Sequence, residues 1–167
     1  MKLREISIDT LTLNPFAKIG HEWMLITAGD AEKHNTMTAS WGGLGYLWER
    51  NIATIFIRPQ RYTYEFVERG GYYSLCFFGE EYRDALNLCG YKSGRDCDKP
   101  KAAGLTPNFT EPAPYYEEAS LVLLCRKLYH QDLEEALFAD STIVEQFYPK
   151  RDLHRFYVGE IVKVLGA

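Results

Sequence analysis

The sequence lacks the features that mark several large classes of protein. Its 167 residues contain no apolar run near the roughly 20 residues of a membrane-spanning helix. Arg4, Glu5 and Asp9 also interrupt the N-terminal stretch, where a secretory signal needs an unbroken apolar core. The net charge is −4 and no long basic run is present, so we expect neither a nucleic acid nor a membrane surface as partner. These absences predict a cytoplasmic protein.

Cysteine and histidine are too scattered for a disulfide framework or a metal site. The four cysteines include no CxxC pair, and the four histidines show none of the short helical spacings of zinc ligands. We therefore expect free thiols and no metal ion. No general acid/base pair or nucleophilic triad can be assembled either, so any catalysis would belong to a cofactor.

A doubly wound nucleotide-binding fold is not expected, because strands and long helices do not alternate regularly. The nearest glycine fingerprint begins at Gly43 and Gly45 but has Trp48 where the third glycine must let helix and strand pack closely. The sequence therefore offers no dinucleotide fingerprint.

The sequence is rich instead in β-branched and aromatic runs, and 14% of its residues are aromatic. These runs predict strands over residues 21–28, 52–57, 72–78, 119–129 and 155–165. Short helices are predicted over 63–69 and 80–88, and over 132–147 where the sequence DST is expected to divide the helix. Three prolines predict an extended surface connection over 105–114. We expect one domain over residues 1–167, mainly β with short helices, as a barrel or sandwich.

The stretch NTMTASWGG places hydroxyl and apolar residues in alternation. On a strand, Thr36, Thr38 and Ser40 would lie on one face, opposite the set of Met37, Ala39 and Trp41. The hydroxyl face would contact either a ligand or solvent, and the pattern does not distinguish the two. The two glycines that follow would let the backbone turn or approach another group closely.

A second candidate site is RPQRYT, between a predicted strand and a predicted helix. Thr63 is expected to cap the helix, and Arg58 and Arg61 arrive where its free N–H groups favour an anion. Arginine binds phosphate with a planar, two-pronged fork, so the segment has the outline of a phosphate site. The alternative is a pair of solvated charges at the rim of a sheet.

Two further candidates are weaker. The polar loop over residues 91–99 could close over an anionic ligand or form an exposed turn. His154, just before the last predicted strand, could donate to a ligand or lie on the surface.

In this order, the segments NTMTASWGG, RPQRYTYEFV, YYSLCFF, SGRDCDK and HRFYVGEIVKV resemble the flavin reductase-like family. The resemblance spans residues 20 to 165 and implies an FMN-binding split β-barrel. It also implies FMN as cofactor, NADH or NADPH as a possible co-substrate, and a homodimer with FMN near the subunit interface.

The resemblance assigns roles to individual residues. The isoalloxazine and ribityl chain would be contacted by Asn35, Thr36, Met37, Thr38, Ala39, Ser40 and Trp41. The phosphate end would be contacted by Arg58, Pro59, Arg61, Tyr62 and Thr63, with Ser93 and Lys99 as further cofactor contacts. His154 would be the catalytic residue near the flavin or nicotinamide edge. One departure is the segment 133–152, where many relatives have a shorter link and which could cover the pocket.

The function implied is an oxidoreductase that passes electrons from NAD(P)H through FMN to a flavin, a small molecule or a protein acceptor. One alternative is a flavoredoxin-type electron-transfer protein without its own pyridine nucleotide site. Another is a barrel that has lost the cofactor and serves only as an interaction module.

Overall fold

The computed structural model describes residues 2–167 and is built mainly of strands. The strands are β1 (Arg4–Ile6), β2 (Met24–Gly29), β3 (His34–Ala39), β4 (Gly42–Leu47), β5 (Arg50–Ile57), β6 (Tyr72–Phe77), β7 (Pro107–Asn108), β8 (Tyr115–Tyr116), β9 (Leu121–Asp132) and β10 (Arg155–Gly166). The helices are α1 (Pro15–Ala17), α2 (Tyr62–Arg69), α3 (Arg83–Tyr91), α4 (Lys99–Ala102) and α5 (Ser141–Phe147). The prediction of a mainly β fold with short helices is confirmed.

The main sheet is a path of antiparallel strands in the order β3-β2-β6-β9-β10-β5-β4, with β1 paired to β10. Strands β3 and β4 form the two edges of this path, yet only Ser40 and Trp41 separate them in the chain. The sheet must therefore curl until its two edges are neighbours. Because no hydrogen-bonded ladder joins β3 to β4, the result is a barrel that is open along one line, which we call the seam.

Two apolar clusters lie on the two faces of the curled sheet. The inner cluster includes Ile26, Ile55 and Tyr157, all with no exposed surface. The outer cluster includes Leu25 and Cys76, and lies beneath α3 and the connection that follows it. Strands β2 and β6 are covered on both faces, so their sequences are nearly continuous apolar runs. Such runs are readily predicted as strands.

The predicted strands are all present, but several of their bounds differ. Strand β2 begins at Met24 because Lys18–Glu22 forms a π-helical turn that includes His21. Strand β9 continues to Asp132, where a helix was predicted to begin. The remainder of that predicted helix is divided into a 3-10 turn at Glu135–Leu137 and α5.

Other expectations need correction. The helix predicted over 80–88 is a 3-10 turn at Glu80–Tyr82 followed by α3, which passes through Gly90 to Tyr91. The connection over 105–114 is extended but not wholly on the surface, because Leu105 and Ala113 are buried and β7 pairs with β8. Strands β1, β4, β7 and β8 were not predicted.

Gly159 in β10 is a position where the core leaves no room for a side chain. A Cβ atom there would lie 2.2 Å from the hydroxyl oxygen of Tyr73, which is fully buried. We predict that Gly159→Ala lowers the free energy of unfolding by about 1–3 kcal/mol, the usual effect of overpacking. The corresponding fall in melting temperature is about 2–10 °C, measurable by circular dichroism.

Gly71→Ala is the matched control, because a Cβ there would have no atom of the described residues within 4 Å, apart from its chain neighbours. Equal melting temperatures for the two variants would contradict the packing argument at Gly159.

Candidate functional site

A cleft of about 190 Å³ opens at the seam, beside the end of β3. The residues lining it, which define the cleft here, are Met37, Thr38, Ala39, Ser40, Trp41, Phe56, Arg58, Arg61 and His154. All of them except Phe56 were singled out from the sequence. The fold therefore brings residues 37–41 of NTMTASWGG, both arginines of RPQRYT and His154 to one place.

Arg61 stands at the N-cap position of α2 and lines the cleft. Its Nη2 atom is buried and has no hydrogen-bond partner among residues 2–167. Burial, and secondarily the nearby charge of Arg58, lower the pKa of the Arg61 guanidinium. A buried cationic donor without a partner is unfavourable, so this group favours an anion in the cleft.

Arg58 is already paired within the protein. Its Nη1 lies 2.6 Å from Asp152 Oδ2, and its Nη2 donates to the carbonyl oxygen of Phe147 at 2.9 Å. Its guanidinium also lies over the ring of Tyr148, at 5.1 Å from the centroid. Gln60 donates to the same Asp152 oxygen. Arg58 therefore anchors the segment 133–152 to the end of β5, and the two arginines have different roles.

Aromatic rings form one wall of the cleft. The ring of Trp41 lies 5.2 Å from that of His154 and packs edge-on against Phe147 at 5.4 Å, between centroids. His154 is 8% exposed, and its Nδ1 lies 2.7 Å from the hydroxyl of Tyr148. Burial, followed by the charge of Arg58, lowers the pKa of His154 to about 4. The imidazole is therefore neutral at pH 7.

The hydroxyl residues of β3 alternate with apolar residues as predicted, but the hydroxyls of Thr36 and Thr38 are bonded inside the protein. Thr36 shares a hydrogen bond with Thr27, at 2.9 Å, and Thr38 donates to the carbonyl oxygen of Leu86 in α3. The interpretation of this face as solvent-exposed is wrong for Thr36, which is fully buried. Flavin contacts from this strand remain a prediction.

Thr63 does not cap α2, contrary to the prediction. The helix begins at Tyr62 with Arg61 at the N-cap, so Thr63 lies inside the first turn. Its buried hydroxyl accepts a hydrogen bond from Asn35 Nδ2 at 2.8 Å and joins β3 to α2. Pro59 is exposed in the turn before the helix. The cleft is not lined by Asn35, Pro59, Tyr62 or Thr63.

The loop that contains Ser93 packs against the start of α2. A Cβ atom at Gly94 would lie 1.9 Å from Asn35 Oδ1 and 3.1 Å from the ring of Tyr62, so only glycine fits there. Arg95 lies over the Tyr62 ring, at 4.5 Å from the centroid, and pairs with Glu65. The Ser93 hydroxyl accepts from the backbone N–H of Arg95. The loop is therefore fixed beside the arginine site.

Lys99 is buried and its ammonium binds the backbone. It donates to the carbonyl oxygens of Thr36, at 2.8 Å, and Cys89, at 2.9 Å, and so ties β3 to α3. Burial, followed by the charge of Arg61, lowers the pKa of Lys99 to about 8. Its predicted contact with a flavin remains a prediction.

Four residues that shape the cleft were not predicted. Phe56 lies on β5, two positions before Arg58, which directly follows the strand. This period-two spacing could have indicated that the two side chains share a face. Phe147, Tyr148 and Asp152 lie in the segment 133–152 and carry no signal in the sequence.

The four cysteines are free, as expected. No helix among residues 2–167 is long and apolar enough to span a membrane.

The fold and the cleft define a split barrel whose seam carries an aromatic wall and an unpaired arginine. The chain belongs to the family described as the flavin reductase like domain, whose model matches residues 16–166. The comparison with curated proteins gave no match.

Solved structures with the same fold include three from different organisms. Flavoredoxin of Desulfovibrio vulgaris (Miyazaki F) is 21% identical, with a TM-score of 0.65 over 96% of this chain and 75% of that one. Flavoredoxin from Methanosarcina acetivorans is 22% identical, with a TM-score of 0.67 over 98% and 76%. A Shewanella frigidimarina protein described as having a split barrel domain is 20% identical, with a TM-score of 0.67 over 96% and 77%. The predicted split-barrel fold is confirmed.

The buried ammonium of Lys99 generates a prediction about pH. Because its pKa falls from 10.5 to about 8 on folding, the unfolded chain binds this proton more strongly between those two values. The free energy of unfolding of the wild type should therefore rise with pH from about 8 to about 10.5, relative to Lys99→Met. Urea unfolding at a series of pH values measures this difference in slope.

Lys99→Met should also be less stable overall by about 1–3 kcal/mol, because two buried carbonyl oxygens lose their donor. Lys101→Met, at an exposed position of α4, is the control and should keep the wild-type slope. Parallel pH profiles for the wild type and Lys99→Met would show that the ammonium is not destabilised by burial.

Proposed function

We propose that this chain binds FMN at the cleft and is an oxidoreductase that passes electrons from NADH or NADPH through FMN to a flavin, small-molecule or protein acceptor. The observation that carries the proposal is the Arg61 guanidinium, which is half-buried in the cleft with an unpartnered Nη2. A dianionic phosphate is the type of group that such a donor binds best. The family membership and the FMN-binding proteins with the same fold support this choice.

The chemical types of the residues in the cleft suit the phosphate and the ring system of FMN. Arg61, at the N-cap of α2, would hold the phosphate beside the free N–H groups of the helix. Trp41 and His154 would provide a wall for the flat ring system. When bound, FMN supplies hydride and electron transfer, while the chain's own residues position the ligands and exclude water.

The size of the cleft supports the proposal of a homodimer. Ligand pockets usually occupy about 300–1,000 Å³, whereas the cleft offers about 190 Å³. A second groove of about 440 Å³ adjoins the cleft at Ser40 and Trp41, and Phe16 in its lining is 84% exposed. A second copy of the chain that covers Phe16 and Trp41 would complete the pocket with FMN near the interface.

Arg61→Ala tests the phosphate contact. We predict that this change weakens FMN binding about 10- to 100-fold, the equivalent of one charged hydrogen-bonding group. Riboflavin has no phosphate, so its affinity should change much less. Titration of the apoprotein with each flavin, followed by flavin fluorescence, gives both dissociation constants.

Arg69→Ala is the matched control, because Arg69 is an exposed arginine at the other end of the same helix. It should leave both affinities unchanged. Equal weakening of FMN and riboflavin by Arg61→Ala would place the phosphate elsewhere, and failure of the wild type to bind FMN would refute the proposed function.

A flavoredoxin-type electron carrier is the second candidate, and the segment 133–152 favours it. Phe147 packs against Trp41, and Tyr148 contacts His154, so this segment occupies one side of the approach to the cleft. A pyridine nucleotide would have to reach the flavin ring system through the part of the approach that the segment leaves open. A carrier that receives electrons from a protein partner needs less access.

Anaerobic mixing distinguishes the two candidates. For the oxidoreductase, we predict that NADH or NADPH removes the visible absorbance bands of the FMN-loaded protein. Dithionite is the control, because it reduces the bound flavin without a nucleotide site. Reduction by dithionite but by neither nucleotide would reject the oxidoreductase and favour the carrier.

A further inference from the structure

The partner of His154 is Tyr148, a residue of the segment 133–152. Tyr148 follows α5 and is 3% exposed. Its hydroxyl oxygen lies 2.7 Å from His154 Nδ1, and the two rings meet edge-on with centroids 5.5 Å apart. The backbone N–H of Leu133 also donates to the carbonyl oxygen of His154, at 2.9 Å. The histidine is thus held at the end of the segment where the chain enters β10.

The direction of this hydrogen bond follows from the available partners. Among residues 2–167, the Tyr148 hydroxyl has no acceptor other than His154 Nδ1. Burial raises the pKa of the Tyr148 phenol, which therefore keeps its proton near neutral pH. If Nδ1–H were the donor, the phenol proton would be left without an acceptor in a buried place. The arrangement that satisfies both groups has the phenol donating to the lone pair of Nδ1.

The rest of the imidazole faces the cleft. His154 lines the cleft, and its Nε2 makes no hydrogen bond with residues 2–167. Trp41 and Phe56 contact the ring, with centroids at 5.2 and 6.5 Å, and restrict its rotation. Since Nδ1 carries the lone pair, the single proton of the neutral ring is on Nε2.

We propose that Tyr148 is a positioning residue for His154: its hydroxyl donates to Nδ1, fixes the Nε2–H form, and makes that N–H an uncharged donor to a carbonyl oxygen of the ligand. Carbonyl oxygens of this kind include those of the isoalloxazine ring. The ligand-facing part of this inference rests on the proposed function, whereas the tautomer does not.

An uncharged donor suits the electrostatics of the cleft. Arg58 and Arg61 both disfavour a third positive charge at His154, and Asp152 opposes them only in part because it pairs with Arg58. An imidazolium would therefore be repelled, whereas a neutral Nε2–H can still bind a carbonyl oxygen. Arg61 would remain the site for the anionic end of the same ligand.

The test is the spectrum of the histidine ring nitrogens in the ¹⁵N-labelled apoprotein near pH 7. Long-range ¹H–¹⁵N correlation distinguishes the two neutral tautomers, and His154→Gln assigns the signal by its loss. We expect an unprotonated, hydrogen-bonded Nδ1 and a protonated Nε2. A protonated Nδ1 in the wild type overturns the proposal.

Tyr148→Phe removes the hydroxyl but keeps the ring that packs against His154 and Arg58. We expect its Nδ1 signal to move toward that of a lone pair without a donor, and the ring signals to broaden as rotation becomes freer. Tyr129→Phe is the matched control, because among the described residues this hydroxyl, on an exposed side chain, bonds only Gln131. Identical His154 signals in the wild type and Tyr148→Phe overturn the positioning role.

Saturation with FMN or with riboflavin tests the ligand-facing part. The Nε2 signal of the wild type should shift with either flavin, because the ring carbonyls do not depend on the phosphate. An unchanged Nε2 signal on a flavin-saturated protein overturns the contact. Absence of flavin binding would refute the proposed function while leaving the tautomer result intact.

Discussion

The two-residue link between the edges of the sheet is the constraint on which the site depends. Strands β3 and β4 lie at opposite ends of the path of paired strands, yet Ser40 and Trp41 are all that separates them. The sheet has to close on itself without a ladder across the seam, which leaves the edge of β3 unpaired there. An unpaired edge beside apolar rings is a place where a ligand can add hydrogen bonds that the fold itself does not use.

The turn after β5 and the segment 133–152 together give the two arginines different roles. Arg58 is the residue after β5 and Arg61 is the N-cap of α2, so a single turn carries both to the cleft. The segment 133–152 then provides Arg58 with a carboxylate, a carbonyl oxygen and a ring face. Within residues 2–167, no comparable group reaches Arg61. One paired arginine fixes the wall, and one unpaired arginine leaves the cleft with a net preference for anions.

Much of this was accessible from the sequence because strands with period-two patterns or two buried faces give strong local signals. The runs that became β2, β5, β6, β9 and β10 are rich in β-branched and aromatic residues. Strand β4 gives no such signal, since GGLGYL has three glycines in six residues. Strand β4 forms because it pairs with β5 in a hairpin, and local sequence propensity does not predict this pairing.

The errors at the site have a common cause. Thr63 looks like a cap because a hydroxyl precedes a helical pattern, but Asn35 from a distant strand uses that hydroxyl, and the helix begins one residue earlier. Thr36 and Thr38 look available because the pattern does not show that their hydroxyls are bonded to Thr27 of β2 and to Leu86 of α3. A sequence reports which groups can form hydrogen bonds, whereas only the packed fold reports which of them are already used.

That distinction also explains why the segment 133–152 was predicted as a departure that could cover the pocket, while the residues that contact the cleft were not predicted. Its contacts with the cleft come from Phe147, Tyr148 and Asp152, whose partners Trp41, His154 and Arg58 lie in three separate parts of the chain. No local pattern encodes such contacts. With Arg58 paired and His154 buried as a neutral ring, the wall side of the cleft is polar but nearly uncharged. The positive potential is then concentrated at Arg61, so a ligand with one anionic end and one neutral ring fits this division better than a uniformly charged one.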